Sequence, residues 1–469
     1  MSRAGRAARG VGSAAGDRVI QAASDDVVAH ARRVVAALFG PPAQRQFDVK
    51  YWDGTVERGS ATVPSPFRLV VARPGALRRM LLPPSELSIV EAYISGDVDV
   101  EGDLAKTMTL ADAINTRLRS PSVLGSLARD LIALPRHDRS TSEVRNRRAD
   151  ERVEAAGARH EPKRDRAAIQ YHYDVGNDFY RLWLDDRMVY SCAYFERPGA
   201  TLDEAQEAKL DHVCRKLRLS EGERFLDVGC GWGALVMHAA RHYGVQAVGI
   251  TLSEEQRALA TERVAEAGLD RAVHVELRDY RDAPSLGPFD KIASVGMVEH
   301  VGGERLSEYF SAAAKALKPG GLFLNHGIVR VGGSREPGWR ERLERRVWRR
   351  DAFIEKYVFP DGRLEHYDAL VSAAEAAGFE TRDVESLREH YTLTLEHWVE
   401  RLERCRKEAI EIVGDATYRV WRLYMTASMH GFATGRLNVL QTLLAKPANG
   451  RANLPLTRKD LYMGSDSIS

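Results

Sequence analysis

ERFLDVGCGWGALVMHAARHY, residues 223–243, is the stretch that decides the fold. A strand-like run from Phe225 to Val228, apolar except at Asp227, meets glycines at alternate positions, Gly229, Gly231 and Gly233, and a helical pattern follows at once. That is a strand passing through a tight turn into a helix. The same alternation continues downstream. VQAVGITLS (245–253) reads as a strand and EEQRALATERVAEAG (254–268) as a helix closed by Gly268. VHVELRDY (273–280), FDKIASVGM (289–297) and GLFLNHGIV (321–329) read as further strands. Strands and helices alternating at this spacing predict an α/β fold, a mostly parallel sheet with a helical cover.

The glycines let the backbone approach a ligand at the carboxyl end of the first strand, beside Asp227. Their spacing is GxGxG and not GxGxxG, which suits S-adenosylmethionine better than a dinucleotide. The second strand should end beside the ligand's ribose, and there the chain reads Thr251, Leu252 and Gln256. It lacks the usual terminal acid, so Thr251 and Gln256 are expected to hydrogen-bond in its place. The third strand ends in Asp279 and Tyr280, where a carboxylate can accept from an adenine amine. This departure at the second strand points to a subgroup of methyltransferases.

Working outward, the 469 residues divide by texture. Residues 1–26, rich in Arg, Gly and Ala, read as a flexible tail. Residues 27–135 read as a smaller N-terminal α+β domain, opening with an apolar-periodic helix from Val27 to Phe39. Residues 136–166 carry ten Lys/Arg and seven Asp/Glu with almost nothing large and apolar, the composition of a charged linker. Residues 167–469 are expected to form a second unit, the methyltransferase catalytic domain. The net charge is only +2, which gives no electrostatic case for nucleic acid. The four cysteines include no CxxC pair, so a reducing, cytoplasmic setting is expected and no metal site is. No run of about 18 apolar residues occurs, so any work on lipid is expected from the membrane surface.

The second unit resembles the cyclopropane-fatty-acyl-phospholipid synthase family, which includes the mycolic-acid cyclopropane synthases. Five segments carry the resemblance: YHYDVGNDFYRLWLDDRMVYSCAYF (171–195), LDVGCGWG (226–233), GITLSEEQ (249–256), SVGMVEHVGG (294–303) and EHYTLTLEHW (389–398). FLNHGI (323–328) and YVFPDG (357–362) match as well. The resemblance implies a Rossmann-like class I methyltransferase using S-adenosylmethionine, with Tyr190, Ser191, Asp227, Gly229, Gly231, Gly233, Thr251, Leu252, Gln256, Asp279 and Tyr280 at the cofactor.

It further implies one-carbon transfer to the cis double bond of an acyl chain of a membrane phospholipid. A carbocation results, and a bound bicarbonate removes the proton. By position the bicarbonate cage is Cys192, Glu299, His326, Ile328 and Tyr391, with Cys192 and Ile328 acting through backbone N–H groups. The rings of Tyr171, Tyr173, Phe179, Tyr180 and Tyr194 are candidates to stabilise the cation. Ser428 stands where many members of the family carry cysteine, which favours direct attack by the alkene. Proton loss with ring closure gives a cyclopropane. A hydride shift first gives a methylene-branched chain, for a partner reductase to reduce. A homodimer is implied by family habit alone, and SELSIVEAYISGDVDVEGDL (85–104) loosely resembles the accessory domain of longer bacterial members.

WRERLERRVWRR (339–350) holds six Arg against two Glu, with Trp339, Leu343 and Val347 four residues apart. As a helix it would show an apolar stripe edged by Arg, a shape suited to an anionic membrane surface. Peripheral attachment at the inner face of the cell membrane is the corresponding expectation.

Overall fold

A computed structural model describes residues 11–60, 64–117, 121–136, 175–332, 352–359, 362, 364–452 and 454–462. The charged linker, Tyr171, Tyr173 and the Arg-rich stretch at 339–350 lie outside the described residues. The chain divides into two compact units, Met1–Asp150 with Gly338–Phe353, and Glu151–Pro337 with Ile354–Ser469.

The first unit opens with helix α1 (Val11–Phe39). Its start lies inside the stretch read as a flexible tail, so that expectation is corrected from Val11 onward: the segment is alanine-rich and free of proline, and alanine is the best helix former. Strands β1 (Asp48–Tyr51), β2 (Val56–Glu57), β3 (Phe67–Val71) and β4 (Val98–Gly102) form a sheet in the order β2-β1-β3-β4. Helices α2 (Ala76–Leu81), α3 (Glu86–Ile94), α4 (Met108–Arg117) and α5 (Pro121–Ala133) complete the unit. Val28, Ala31, Val34, Val35 and Leu38 recur at helical spacing on α1 and bury with Val49, Phe67 and Val71 of the sheet and Leu127 and Leu131 of α5. Arg33 pairs with Asp130 at 2.9 Å and holds α1 to α5.

The second unit carries a seven-stranded sheet. In chain order its principal elements are α6 (Leu202–Leu217), β5 (Arg224–Val228), α7 (Ala234–Tyr243), β6 (Gln246–Thr251), α8 (Glu254–Glu266), β7 (Val273–Leu277), β8 (Phe289–Val295), α9 (Leu306–Ala316), β9 (Leu317–Arg330), α10 (Tyr367–Ala376), β10 (Glu380–Ser386), α11 (Arg388–Arg404), α12 (Asp415–Ala433) and β11 (Leu437–Ala445). The strand order is β10-β11-β9-β8-β5-β6-β7. β11 alone runs against the rest, antiparallel to both β9 and β10.

Helices cover both faces, which is why the central strands read as near-continuous apolar runs. Along β5, Phe225 joins the core formed with Leu210, Val213 and Leu217 of α6, while Leu226 joins the opposite core with Tyr309 and Phe310 of α9. β9 alternates in the same way, with Leu322 and Leu324 on the α6 side and Phe323 on the α9 side. Among the described residues no helix is long and apolar enough to cross a membrane.

Candidate functional site

The chain runs β5, β6, β7 in one direction across the sheet, then returns to lay β8 on the other side of β5. The order reverses between β5 and β8, and a crevice opens outside the carboxyl ends of the strands at such a point. The glycine turn sits there. Gly229 and Cys230 both donate their N–H to the Ile250 carbonyl, at 2.9 and 3.0 Å, which ties the turn to β6. Gly229, Gly231 and Gly233 have φ of 83°, 54° and 82°, the left-handed region that glycine enters without penalty. A Cβ on Gly231 would meet nothing within 4 Å, so the backbone there fronts open space.

One pocket occupies the crevice. Tyr190, Ser191, Asp227, Gly229, Gly231, Thr251, Leu252, Gln256 and Tyr280, all assigned to the cofactor by the resemblance, line it. Two expected residues are not among its lining. Gly233 caps α7 instead, and a Cβ there would press to 3.3 Å from Ala260. The Asp279 carboxylate accepts from the Arg281 N–H at 2.9 Å and pairs with its guanidinium at 2.9 Å. At the end of β6 the Thr251 hydroxyl donates to Gln256 Oε1 at 2.8 Å. The pairing leaves the Gln256 amide N–H groups as donors at the place where an acid is usual.

The pocket also contains residues that sequence reading missed. Lys209 of α6 is buried, lines the pocket and donates to Ser191 Oγ at 2.9 Å. Burial pushes its pKa down to about 8, against the raising pull of Asp185, Cys192 and Asp227. Burial drives Asp227 up to about 7, and the Lys209 charge opposes that rise. Asp227 Oδ1 has no hydrogen-bond partner among the described residues. A buried carboxylate with an idle oxygen beside an open glycine turn fits a ligand bearing positive charge and N–H donors, as S-adenosylmethionine does. Lys209, His212 and Lys216, all buried, recur at helical spacing beside the apolar stripe of α6, and that spacing was the signal available in the sequence.

A second buried cluster adjoins the pocket. Met297 and His300 line the pocket, and Glu299 sits between them in a short turn of 3-10 helix. Glu299 Oε1 accepts the Ile328 N–H at 2.7 Å, while Oε2 has no partner among the described residues. Burial raises its pKa to about 7. The Ile328 N–H, expected to face an anion, is thus paired with the Glu299 carboxylate in this structure.

His326 lies two residues before Ile328 on the same face of β9, and its carbonyl accepts the Gly296 N–H at 2.8 Å. Burial drives the His326 pKa down to about 3, and the Lys209 and Lys216 charges push the same way, so the ring is neutral. Leu387 brings in the remaining members. Its N–H donates to Val439 O, the register partner of Ile328, and its carbonyl accepts from the Tyr391 N–H at 2.9 Å and from the Cys192 thiol at 3.6 Å.

Aromatic rings join the two clusters. Tyr180 packs on Trp232 at 5.0 Å and Tyr190 at 5.5 Å, and Tyr190 packs on Trp398, which meets Tyr391. Phe179 and Tyr180 are fully buried in this layer. Tyr194 is not in it. Its ring stacks between His212 at 4.2 Å and His390 at 4.9 Å.

The family described as mycolic acid cyclopropane synthetase matches residues 160–442, more than half of the chain. The chain belongs to that family. It is an S-adenosylmethionine-dependent lipid methyltransferase of the cyclopropane synthase type. A "Probable fatty acid methyltransferase" of Pseudomonas putida is 40% identical over 428 residues, which cover 90% of this chain and 98% of that one. "Probable fatty acid methyltransferase Rv3720" of Mycobacterium tuberculosis is 36% identical over 388 residues, 80% of this chain and 86% of its own. The crystal structure of mycolic acid cyclopropane synthase CmaA1 complexed with SAH and CTAB is similar, at 36% identity and a TM-score of 0.54, covering 60% of this chain and 97% of that one. Residues 34–117 match a domain of unknown function, DUF7884.

Proposed function

We propose that this enzyme transfers a one-carbon unit from S-adenosylmethionine to the cis double bond of an unsaturated fatty-acyl chain of a membrane phospholipid, giving a cyclopropane. The observation that carries the reading is the cluster of half-buried Glu299 and Ile328 with buried His326, one residue from the pocket lining. An ordinary O- or N-methyltransferase needs no such second polar centre. That CmaA1 forms a complex with both SAH and CTAB supports a protein of this family taking a methyl donor and a long-chain amphiphile.

When bound, S-adenosylmethionine supplies an electrophilic methyl group and bicarbonate supplies a base that must be held dry. Asp227, kept company by Lys209, matches the positive charge of the methyl donor. Thr251 fixes the Gln256 side chain, whose amide N–H groups are left to donate toward the ribose. The rings of Tyr180, Tyr190 and Trp232 exclude water and offer their faces to cationic charge. His326, neutral and with Nε2 free of partners among the described residues, donates one hydrogen bond to the anion. Glu299 holds the anion's hydroxyl through Oε2. The Cys192 N–H and the Tyr391 hydroxyl complete the cage. Donors gathered in a water-poor site count for more than in water.

A second reading is kept for one reason. The two relatives that align over 90% and 80% of this chain carry fatty acid methyltransferase in their names. Methyl transfer followed by a hydride shift gives a methylene-branched chain, which a partner reductase then saturates. The proposal also seats the protein on the inner, anionic membrane face through residues 339–350, as a homodimer.

The test is turnover of vesicles of cis-monounsaturated phospholipid with S-adenosylmethionine, in buffer freed of carbon dioxide and again with bicarbonate restored. Product that appears only with bicarbonate supports the mechanism, and equal rates in both buffers refute the base.

A further inference from the structure

We propose that Gln441 is a positioning residue that sets the tautomer of His326, so that the imidazole carries its one proton on Nε2, facing the base site. The inference uses the proposed function only to name what that proton meets.

His326 on β9 and Gln441 on β11 are register partners. Both point to the sheet face that carries Leu322, Leu324 and Leu443, under α6. Gln441 is wholly buried and His326 is nearly so. The Gln441 amide nitrogen lies 3.2 Å from His326 Nδ1. An amide nitrogen can only donate, so Nδ1 must be the bare lone pair. A neutral imidazole has a single N–H, and it is left on Nε2.

The surroundings keep the ring neutral. Lys209, Lys216 and His212 face it from α6, and Glu385 faces it from β10. Glu385 is the register partner of Gln441, but its carboxylate is already taken by His212 at 2.7 Å and Lys216 at 2.5 Å. That single anion is therefore not free to draw a second proton onto His326. The opposite amide orientation would set two N–H donors where Gln441 Oε1 now lies, a buried place with no partner among the described residues. Two orphaned donors cost more than one orphaned acceptor.

The test is two-bond 1H–15N spectroscopy of the full chain labelled with 15N-histidine, the His326 signals assigned by their loss in His326→Asn. The wild type should show the Nε2–H form. Gln441→Glu supplies an acceptor in place of the donor and should move the proton to Nδ1 or fix an imidazolium. Its turnover should fall by about 10- to 100-fold, the usual range when a group that orients another is removed. Its KM for bicarbonate should rise, with affinity for S-adenosylhomocysteine unchanged. Gln441→Leu, which keeps the bulk without the donor, should give a tautomer mixture. An Nδ1–H wild type, or a tautomer unmoved in Gln441→Glu, overturns the inference. A tautomer that moves as expected in an enzyme indifferent to bicarbonate upholds the inference and refutes the bicarbonate reading instead.

Discussion

Asp227→Asn should stabilise the protein while it disables the pocket. Asp227 is buried, has one idle oxygen among the described residues, and has its pKa raised from 3.8 to about 7. Each pKa step is worth about 1.4 kcal/mol, so the ionised carboxylate costs the folded state about 4 kcal/mol above neutral pH. The folded pKa lies above the unfolded one. The stability tied to the neutral carboxyl is therefore complete below about pH 4 and lost as pH rises through about 7.

Asparagine copies the neutral form at every pH. Some of its gain is returned because Lys209 loses a counter-charge, which leaves a net benefit of about 2–4 kcal/mol at about pH 8.5 and almost none at about pH 4. For a unit of roughly 300 residues that is about 3–7 °C in Tm. Binding should move the other way. Loss of a charged acceptor costs about 1.5–3 kcal/mol, or roughly 10- to 150-fold in the Kd for S-adenosylhomocysteine. Scanning calorimetry at the two pH values and titration calorimetry with S-adenosylhomocysteine read both. A variant less stable than wild type at the higher pH, a gain equal at both pH values, or an unchanged Kd would refute the reasoning.

Lys209→Met strips Ser191 of its 2.9 Å donor and leaves Asp185 and Asp227 without the nearby cation; the Kd for S-adenosylhomocysteine should rise at least about 10-fold in titration calorimetry. Gly327→Ala places a Cβ 2.4 Å from Val298 Cγ1, beside Glu299, and should cost about 1–3 kcal/mol by denaturant titration, with turnover falling further than stability explains. Replacing Arg345, Arg346, Arg349 and Arg350 together by Glu should weaken co-sedimentation with anionic vesicles and leave S-adenosylhomocysteine binding unchanged. Unchanged co-sedimentation would remove the membrane role assigned to this stretch.

The glycine turn and the run of strands around it were legible because they depend on local chemistry: left-handed backbone at Gly229, Gly231 and Gly233, and apolar runs buried on both faces. Nine expected cofactor residues share one pocket for the same reason, since strand ends in this topology converge. What stayed hidden depends on which side chains meet once the chain is folded, whether near or far in sequence. Asp279 looks available in sequence, and only the fold shows Arg281 holding it. Lys209 reads as one more solvated lysine on a charged helix until α6 packs over the sheet and buries it. The Glu299–Ile328 hydrogen bond spans 29 positions and the Cys192–Leu387 contact 195, distances no local pattern encodes. The helix that starts at Val11 was masked by an Arg- and Gly-rich opening that reads as unstructured.

The central claim is the chemistry at the acyl double bond, and the most direct measurement is NMR of the lipid product. The enzyme is incubated with methyl-13C S-adenosylmethionine and vesicles of cis-monounsaturated phospholipid, and the acyl chains that gain one carbon are examined. The account predicts 13C in a ring CH2 with upfield cyclopropane protons. Label in an exocyclic vinyl group would contradict ring closure in favour of the methylene-branched product, and label in no acyl chain would contradict the claim itself.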